Sequence, residues 1–317
     1  MKEKNILVFG GSGQIGRNLI RKLTQKNHRV TAVTRNLHKK GYILKTQGNP
    51  GYIDIVEKNI FDDKHLAEII KNKDICINLV GILFEKKNNT FNNIHINFPS
   101  ILSKICKENN LEQFIHISAL GIDSAKDSKY AESKLKGENE IKKNFQEATI
   151  IRPSIVYSVD DNFSTNLMSL INNLPFFPVY YNGETKFMPI HCSDLTEIIL
   201  KIIEEKICSN TIECVGPDEI NFKEILITLM KLIDKKKYII PFPLPIAKMT
   251  AKFFEFFPNP LLTIDQLNLL KYDNVLSGNL KSNIDINYVC ELKFENEVKK
   301  YCYMWKEHGE YSKEKIN

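Results

Sequence analysis

Tyr130-Ala-Glu-Ser-Lys134 sets a phenol and an ammonium four residues apart. On a helix that spacing brings both groups to one face. A neighbouring cation favours the phenolate, so such a tyrosine can exchange a proton near neutral pH. The preceding strand-like run, Phe114-Ile-His-Ile-Ser118, ends in a third candidate, the Ser118 hydroxyl. The catalytic candidates are therefore Tyr130, Lys134 and Ser118.

A second constellation lies near the N-terminus. Gly10-Gly-Ser-Gly13-Gln-Ile-Gly16 has GxxGxxG spacing between a short apolar strand, Ile6–Phe9, and a helical pattern. A tight turn needs residues that tolerate positive φ. A side chain there would block the approach of a pyrophosphate, and the N–H groups at the helix start attract phosphate. Gly10, Ser12, Gly13, Gln14, Ile15 and Gly16 are thus the expected dinucleotide contacts. A site for NAD usually carries an acid at the end of the second strand, on the ribose 2′-OH. Thr34-Arg35-Asn36 has none, and the Arg35 guanidinium suits a 2′-phosphate. NADP(H) is favoured over NAD(H).

These groups need a scaffold. Buried-strand runs appear at Ile6–Phe9, Val30–Thr34, Tyr52–Val56, Ile75–Val80, Phe114–Ser118 and Ala148–Arg152, with helical patterns between them. That alternation means an α/β fold, a Rossmann-type doubly wound parallel sheet. After Pro153 the pattern loosens into a smaller mixed C-terminal lobe. The expected division is residues 1–160 for the dinucleotide-binding domain, with 185–205 packing back onto it. Residues 161–184 and 206–317 form the lobe. Asp194 reads as the cap of a helix from Leu195.

Composition narrows the classes. The 317 residues are 43% hydrophobic and 26% charged, ordinary globular values. Net charge is +6 without a long basic run, so nucleic acid is not an expected partner. Seven cysteines without CxxC spacing, and histidines without HExxH, suggest free thiols and no metal site. No secretion signal or membrane span is expected.

The motifs in the first 155 residues resemble the short-chain dehydrogenase/reductase superfamily, extended or atypical branch. They are the glycine turn, Asn78-Leu-Val80-Gly81, Ser118, Tyr130/Lys134 and Arg152-Pro153-Ser154. The resemblance implies that Tyr130 is the acid/base and Lys134 the ribose ligand, and that Val80, Gly81, Pro153 and Ser154 border the cofactor. Two departures stand out. Ala119 and Leu120 occupy the positions where the superfamily usually has its catalytic Ser or Thr. Asn59, in Lys58-Asn-Ile60, replaces an acid that contacts adenine.

A narrower resemblance runs through Ile77–Ile82, Phe114–Ser118, Pro241-Phe-Pro-Leu-Pro245 and Leu262-Thr-Ile-Asp265. These segments are similar to the alpha-subcomplex subunit 9 family of respiratory complex I, the NADH:ubiquinone oxidoreductase. That implies an accessory or assembly role around a structural NADPH. The alternative is an active NADP-dependent reductase, epimerase or dehydratase using Tyr130 and Lys134. Ile246, Met249, Thr250, Phe253, Phe254 and Phe257 recur at helical spacing, with Lys248, Lys252 and Glu255 elsewhere on the segment. The 246–257 face is either core or a contact with complex I subunits or a membrane surface. The expected location is peripheral, on the cytoplasmic side of the membrane, or the matrix side in an organelle.

Overall fold

The computed structural model describes residues 3–257, 260, 262–307 and 309. The polar segment Ser312 to Asn317 lies outside them. The chain divides into two compact units. The first comprises Met1–Pro153, Leu195–Cys214 and Ser277–Tyr288, and the second the intervening and following segments.

The first unit is built on β1 (Asn5–Phe9), β2 (Arg29–Thr34), β3 (Ile53–Glu57), β4 (Ile75–Asn78), β5 (Gln113–Ile117), β6 (Thr149–Pro153), β7 (Thr211–Cys214) and β8 (Lys281–Ser282). All pair in parallel, in the order β8-β7-β6-β5-β4-β1-β2-β3. Ile6 to Phe9 in β1 are fully buried, as a strand covered on both faces must be. The helices are α1 (Gln14–Gln25), α2 (Leu37–Lys45), α3 (Asp63–Ile70), α4 (Phe98–Glu108), α5 (Lys129–Asn144) and α6 (Cys192–Glu204). One core layer joins Leu7 and Phe9 to Phe98, Leu102, Phe114 and Ile141. Within it Phe9 and Phe98 meet edge to face, with ring centres 5.3 Å apart.

Three details differ from the sequence reading. The sheet recruits β7 and β8 from residues assigned to the lobe, and the segment that returns is 195–214 rather than 185–205. A π-helical turn, Asn92–Asn97, precedes α4. Helix α6 begins at Cys192, so Asp194 sits inside its first turn and is not the cap. Instead its carboxylate accepts the Leu292 N–H at 3.3 Å.

The second unit is mixed. It contains helices Ser164–Asn173, Phe222–Leu232, Leu244–Phe254, Ile264–Leu269 and Phe294–Lys299. A two-stranded parallel ribbon pairs Phe176–Val179 with Tyr238–Pro241. Its core gathers Tyr157, Met168, Ile171, Ile225, Leu229 and Val298. Six of the seven cysteines are buried, and all are free thiols.

Candidate functional site

Phe9 closes β1, and the chain turns through Gly10 at φ +79°. A Cβ on Gly10 would lie 3.0 Å from the Leu79 backbone, so glycine is required on both counts. The Gly13 N–H donates to the Gly10 carbonyl at 3.0 Å and closes the turn. Helix α1 then starts on Gly13, with no side-chain cap and no acid in its first turn. Its dipole is left for an external anion. Gly16 packs on the turn itself, where a Cβ would lie 2.5 Å from the Gly10 carbonyl oxygen. Gln14 and Ile15 form the first turn of α1 beside it.

A cleft of about 230 Å³ opens above this turn. Gly10, Ser12, Gly13, Arg35, Val80 and Gly81 line it, with Phe9, Thr34, Ile60 and Leu79. Arg35 also lines a neighbouring hollow with Glu57, Lys58, Asn59, Asp62 and His65. Asn59 spends its side-chain oxygen on the Phe61 N–H, at 3.1 Å.

Helix α5 opens on Ser128, whose hydroxyl caps the Ala131 N–H at 3.2 Å. It carries Tyr130, half-buried, and Lys134, buried. Lys134 Nζ donates to the Ile117 carbonyl at 3.1 Å, which leaves two N–H groups for another acceptor. Burial pulls this ammonium down to about 8, and Glu138 on the same helix opposes that shift. A Cβ on Gly81 would stand 3.3 Å from Lys134 Nζ. Ser118 is buried beyond the end of β5, and its hydroxyl has no hydrogen-bond partner among the described residues. The Leu120 N–H donates to the Pro153 carbonyl at 2.9 Å, which ties the ends of β5 and β6. Ser154 belongs to the second unit, where its hydroxyl meets Asn274 Oδ1 at 2.6 Å.

Two histidines that the motif reading passed over hold the Asn78–Ile82 loop. The Asn78 side-chain oxygen accepts the Val80 N–H at 3.0 Å, and its amide donates to His116 Nδ1 at 3.1 Å. His95, on the π-helical turn, accepts the Ile82 N–H at Nε2, 3.2 Å away. Its proton is then on Nδ1 and points to Ser133 Oγ at 2.8 Å, and Ser133 in turn donates to the Tyr130 carbonyl at 2.7 Å. Burial, helped by the Lys134 charge, drives His95 down to about 2, so the ring is neutral. The chain Ile82–His95–Ser133–Tyr130 therefore splints the loop to the start of α5. His95 lies on the π-helical turn, and the sequence carries no periodic signal for that turn.

The residues fit a dinucleotide. The turn presents bare backbone and an open helix N-terminus, and both Lys134 and Ser118 retain unused hydrogen-bonding capacity. Among the described residues no cluster of His, Cys, Asp or Glu could hold a metal.

The model of the NAD dependent epimerase/dehydratase family matches residues 6–213. The mitochondrial NADH dehydrogenase [ubiquinone] 1 alpha subcomplex subunit 9 of Arabidopsis thaliana is 26% identical over 294 residues, which span 89% of this chain and 73% of that protein. The protein of the same name from Dictyostelium discoideum is 28% identical over 287 residues, 88% of this chain and 79% of its own length. Among solved structures, UDP-glucuronic acid 4-epimerase from Bacillus cereus, in complex with UDP-glucuronic acid and NAD, superposes with a TM-score of 0.70 at 18% identity. That match covers 95% of this chain and 99% of the other.

Proposed function

Because the chain belongs to the NAD dependent epimerase/dehydratase family, we propose that it holds NADP(H) as a structural cofactor and serves respiratory complex I as an accessory subunit or assembly factor. The observation that carries this reading is a strand end with a single hydroxyl. Ser118 is followed by Ala119 and Leu120, while the dinucleotide cleft and Lys134 are kept. A nucleotide that binds only the folded state stabilises it, by about 2.7 kcal/mol at a hundredfold excess over its Kd. Whole-chain likeness to complex I subunits supplies the partner. The location proposed is peripheral, on the cytoplasmic face of a bacterial membrane or the matrix face of an organellar one. Among the described residues no helix is long and apolar enough to cross a membrane.

In this reading the glycine turn and the α1 N-terminus take the pyrophosphate, and Ser12, Gln14 and Ile15 flank it. Arg35 takes the 2′-phosphate, Asn59 faces the adenine, and Lys134 with Tyr130 takes the nicotinamide ribose. Val80, Gly81 and Pro153 border the nicotinamide. When bound, NADP(H) would supply hydride chemistry, and Tyr130 would be the group able to move a proton there.

Two titrations test the assignment of residues. Replacing Arg35 by alanine is expected to weaken NADP(H) by about ten- to a hundredfold, the effect of losing one charge-assisted contact of about 1.5–3 kcal/mol. NAD(H) affinity should be unchanged. Equal losses for both nucleotides would remove Arg35 from the 2′-phosphate. The second titration varies pH. Lys134 is charged below about 8 and neutral above it. The ammonium attracts the anionic nucleotide, so affinity should fall as pH rises through 8, by up to about tenfold at pH 9. Lys134→Met should flatten that slope, and a slope unchanged by the substitution would exclude the lysine.

The role itself is tested by native purification from membranes. NADP(H) retained without turnover, together with complex I subunits, is the expected result. A wholly soluble protein that oxidises NADPH with a carbonyl substrate, and loses this as Tyr130→Phe, would overturn the reading in favour of an active reductase.

A further inference from the structure

Helix Leu244–Phe254 in the second unit is built inside out. Its small residues Ala247 and Ala251 are fully buried, while Ile246, Met249 and Phe253 stand 44%, 68% and 60% exposed. Phe256 and Phe257 continue the outer stripe just beyond the helix, and Phe253 meets Phe257 edge to face at 5.5 Å. At 100° per residue, the helix positions 246, 249 and 253 fall within one arc of about 60°. A helix at a water-facing surface normally turns such a stripe inward. The sequence reading left core or contact open for this face, and the described side chains point to contact.

The ribbon of the same unit adds to the apolar surface. Tyr238 and Phe176 are register partners across it and both are exposed, as is Ile240 two residues on. Basic residues flank these elements. Between residues 231 and 257 there are six lysines and two acids, and two of the lysines, Lys231 and Lys235, pair with Glu295 and Glu307 at 3.3 Å. Glu255 is one of those acids, and it accepts the Ile264 N–H at 2.9 Å. Lys248 and Lys252 lie one turn apart on one flank of the stripe and are exposed.

We propose that this stripe, the ribbon residues Tyr238, Ile240 and Phe176, and the flanking lysines form a docking face for an anionic lipid surface. Protein–protein contacts are depleted in lysine. Apolar and aromatic side chains bordered by lysines are instead the composition of helices that lie in the membrane interface. With 11 residues the helix is too short to span, so it lies flat, with Phe253, Phe256 and Phe257 reaching the acyl boundary and the lysines meeting phosphate headgroups. The inference goes beyond the nucleotide's role and does not depend on which complex the chain serves.

The test is co-sedimentation of the full chain with vesicles. One set contains phosphatidylcholine alone and the other includes 30% phosphatidylglycerol or cardiolipin. Binding to the anionic vesicles alone, weakened by salt, is the expected result. Met249→Ser/Phe253→Ser should weaken it by roughly tenfold or more, given the apolar area removed. Lys248→Gln/Lys252→Gln should weaken it by roughly 20- to 30-fold, at about 1 kcal/mol per lysine. All four side chains are exposed, so unfolding midpoint and nucleotide retention should match the parent protein. No vesicle binding, or binding that both variants retain, would overturn the proposal. So would self-association of the parent that the serine variant abolishes, which would assign the face to a second copy. A variant that loses vesicles while retaining nucleotide separates this face from the cofactor reading.

Discussion

Glu138→Ala should destabilise the first unit by about 3–5 kcal/mol, the penalty for stranding a buried charge. Arg152, on β6, is almost fully buried and reaches the completely buried Glu138 with two hydrogen bonds of 2.8 and 2.7 Å. Its remaining edge meets Asp123, whose side chain is half-exposed. Removing Asp123 should therefore cost no more than about 1 kcal/mol, because solvent replaces it. Replacing the buried pair together, as Arg152→Met/Glu138→Leu, should recover most of the loss, since the desolvation of both charges disappears with them. Urea unfolding of the three variants checks the order. A Glu138→Ala protein no less stable than Asp123→Ala would refute the account.

The second large effect is expected at Gly137. Alanine is normally the better helix former by about 1 kcal/mol. Here a Cβ would lie 1.8 Å from the His95 carbonyl oxygen, a backbone atom that cannot swing away. Overpacking of that severity costs about 3 kcal/mol or more, so the clash should win and Gly137→Ala should lose about 2 kcal/mol net. Gly41 in α2 is the control. Its new Cβ would meet only the far end of the Leu37 side chain, so Gly41→Ala should be near neutral. Comparable denaturation midpoints for the two variants would mean that α5 and the π-helical turn can separate cheaply. If they cannot, nucleotide affinity should fall as well in Gly137→Ala, because His95 positions Ile82.

Locally encoded features were legible in the sequence. The apolar runs of β1, β4 and β5 and the glycine turn announce themselves within a few residues, because a strand covered on both faces has no polar alternation to hide. Tyr130 and Lys134 were legible for the same reason, since i, i+4 spacing on one helix is a local fact. Features that need distant partners were not. Nothing in Asn92–Asn97 signals a π-helical turn, and the partner of its His95 carbonyl, Gly137, lies about 40 residues away in sequence. β7 reads as a strand wherever it goes, and only its pairing with β6 assigns it to the large sheet. The spacing at 246–257 gave the apolar stripe but not its direction, which the two buried alanines decide.

The order of strands has a consequence for biosynthesis. β6 pairs with β7, about 60 residues later in the chain, and β7 with β8 about 70 residues later still. Until residue 214 has left the ribosome, β6 presents an unpaired and wholly buried-type edge, Thr149-Ile-Ile-Arg-Pro153. Such an edge is a template for pairing with other chains. The sheet is also a high-contact-order assembly, whose loop-closure entropy falls due before its last contacts can form. The nascent first unit thus passes through a window in which its growing sheet is exposed to pairing with other chains before it is complete.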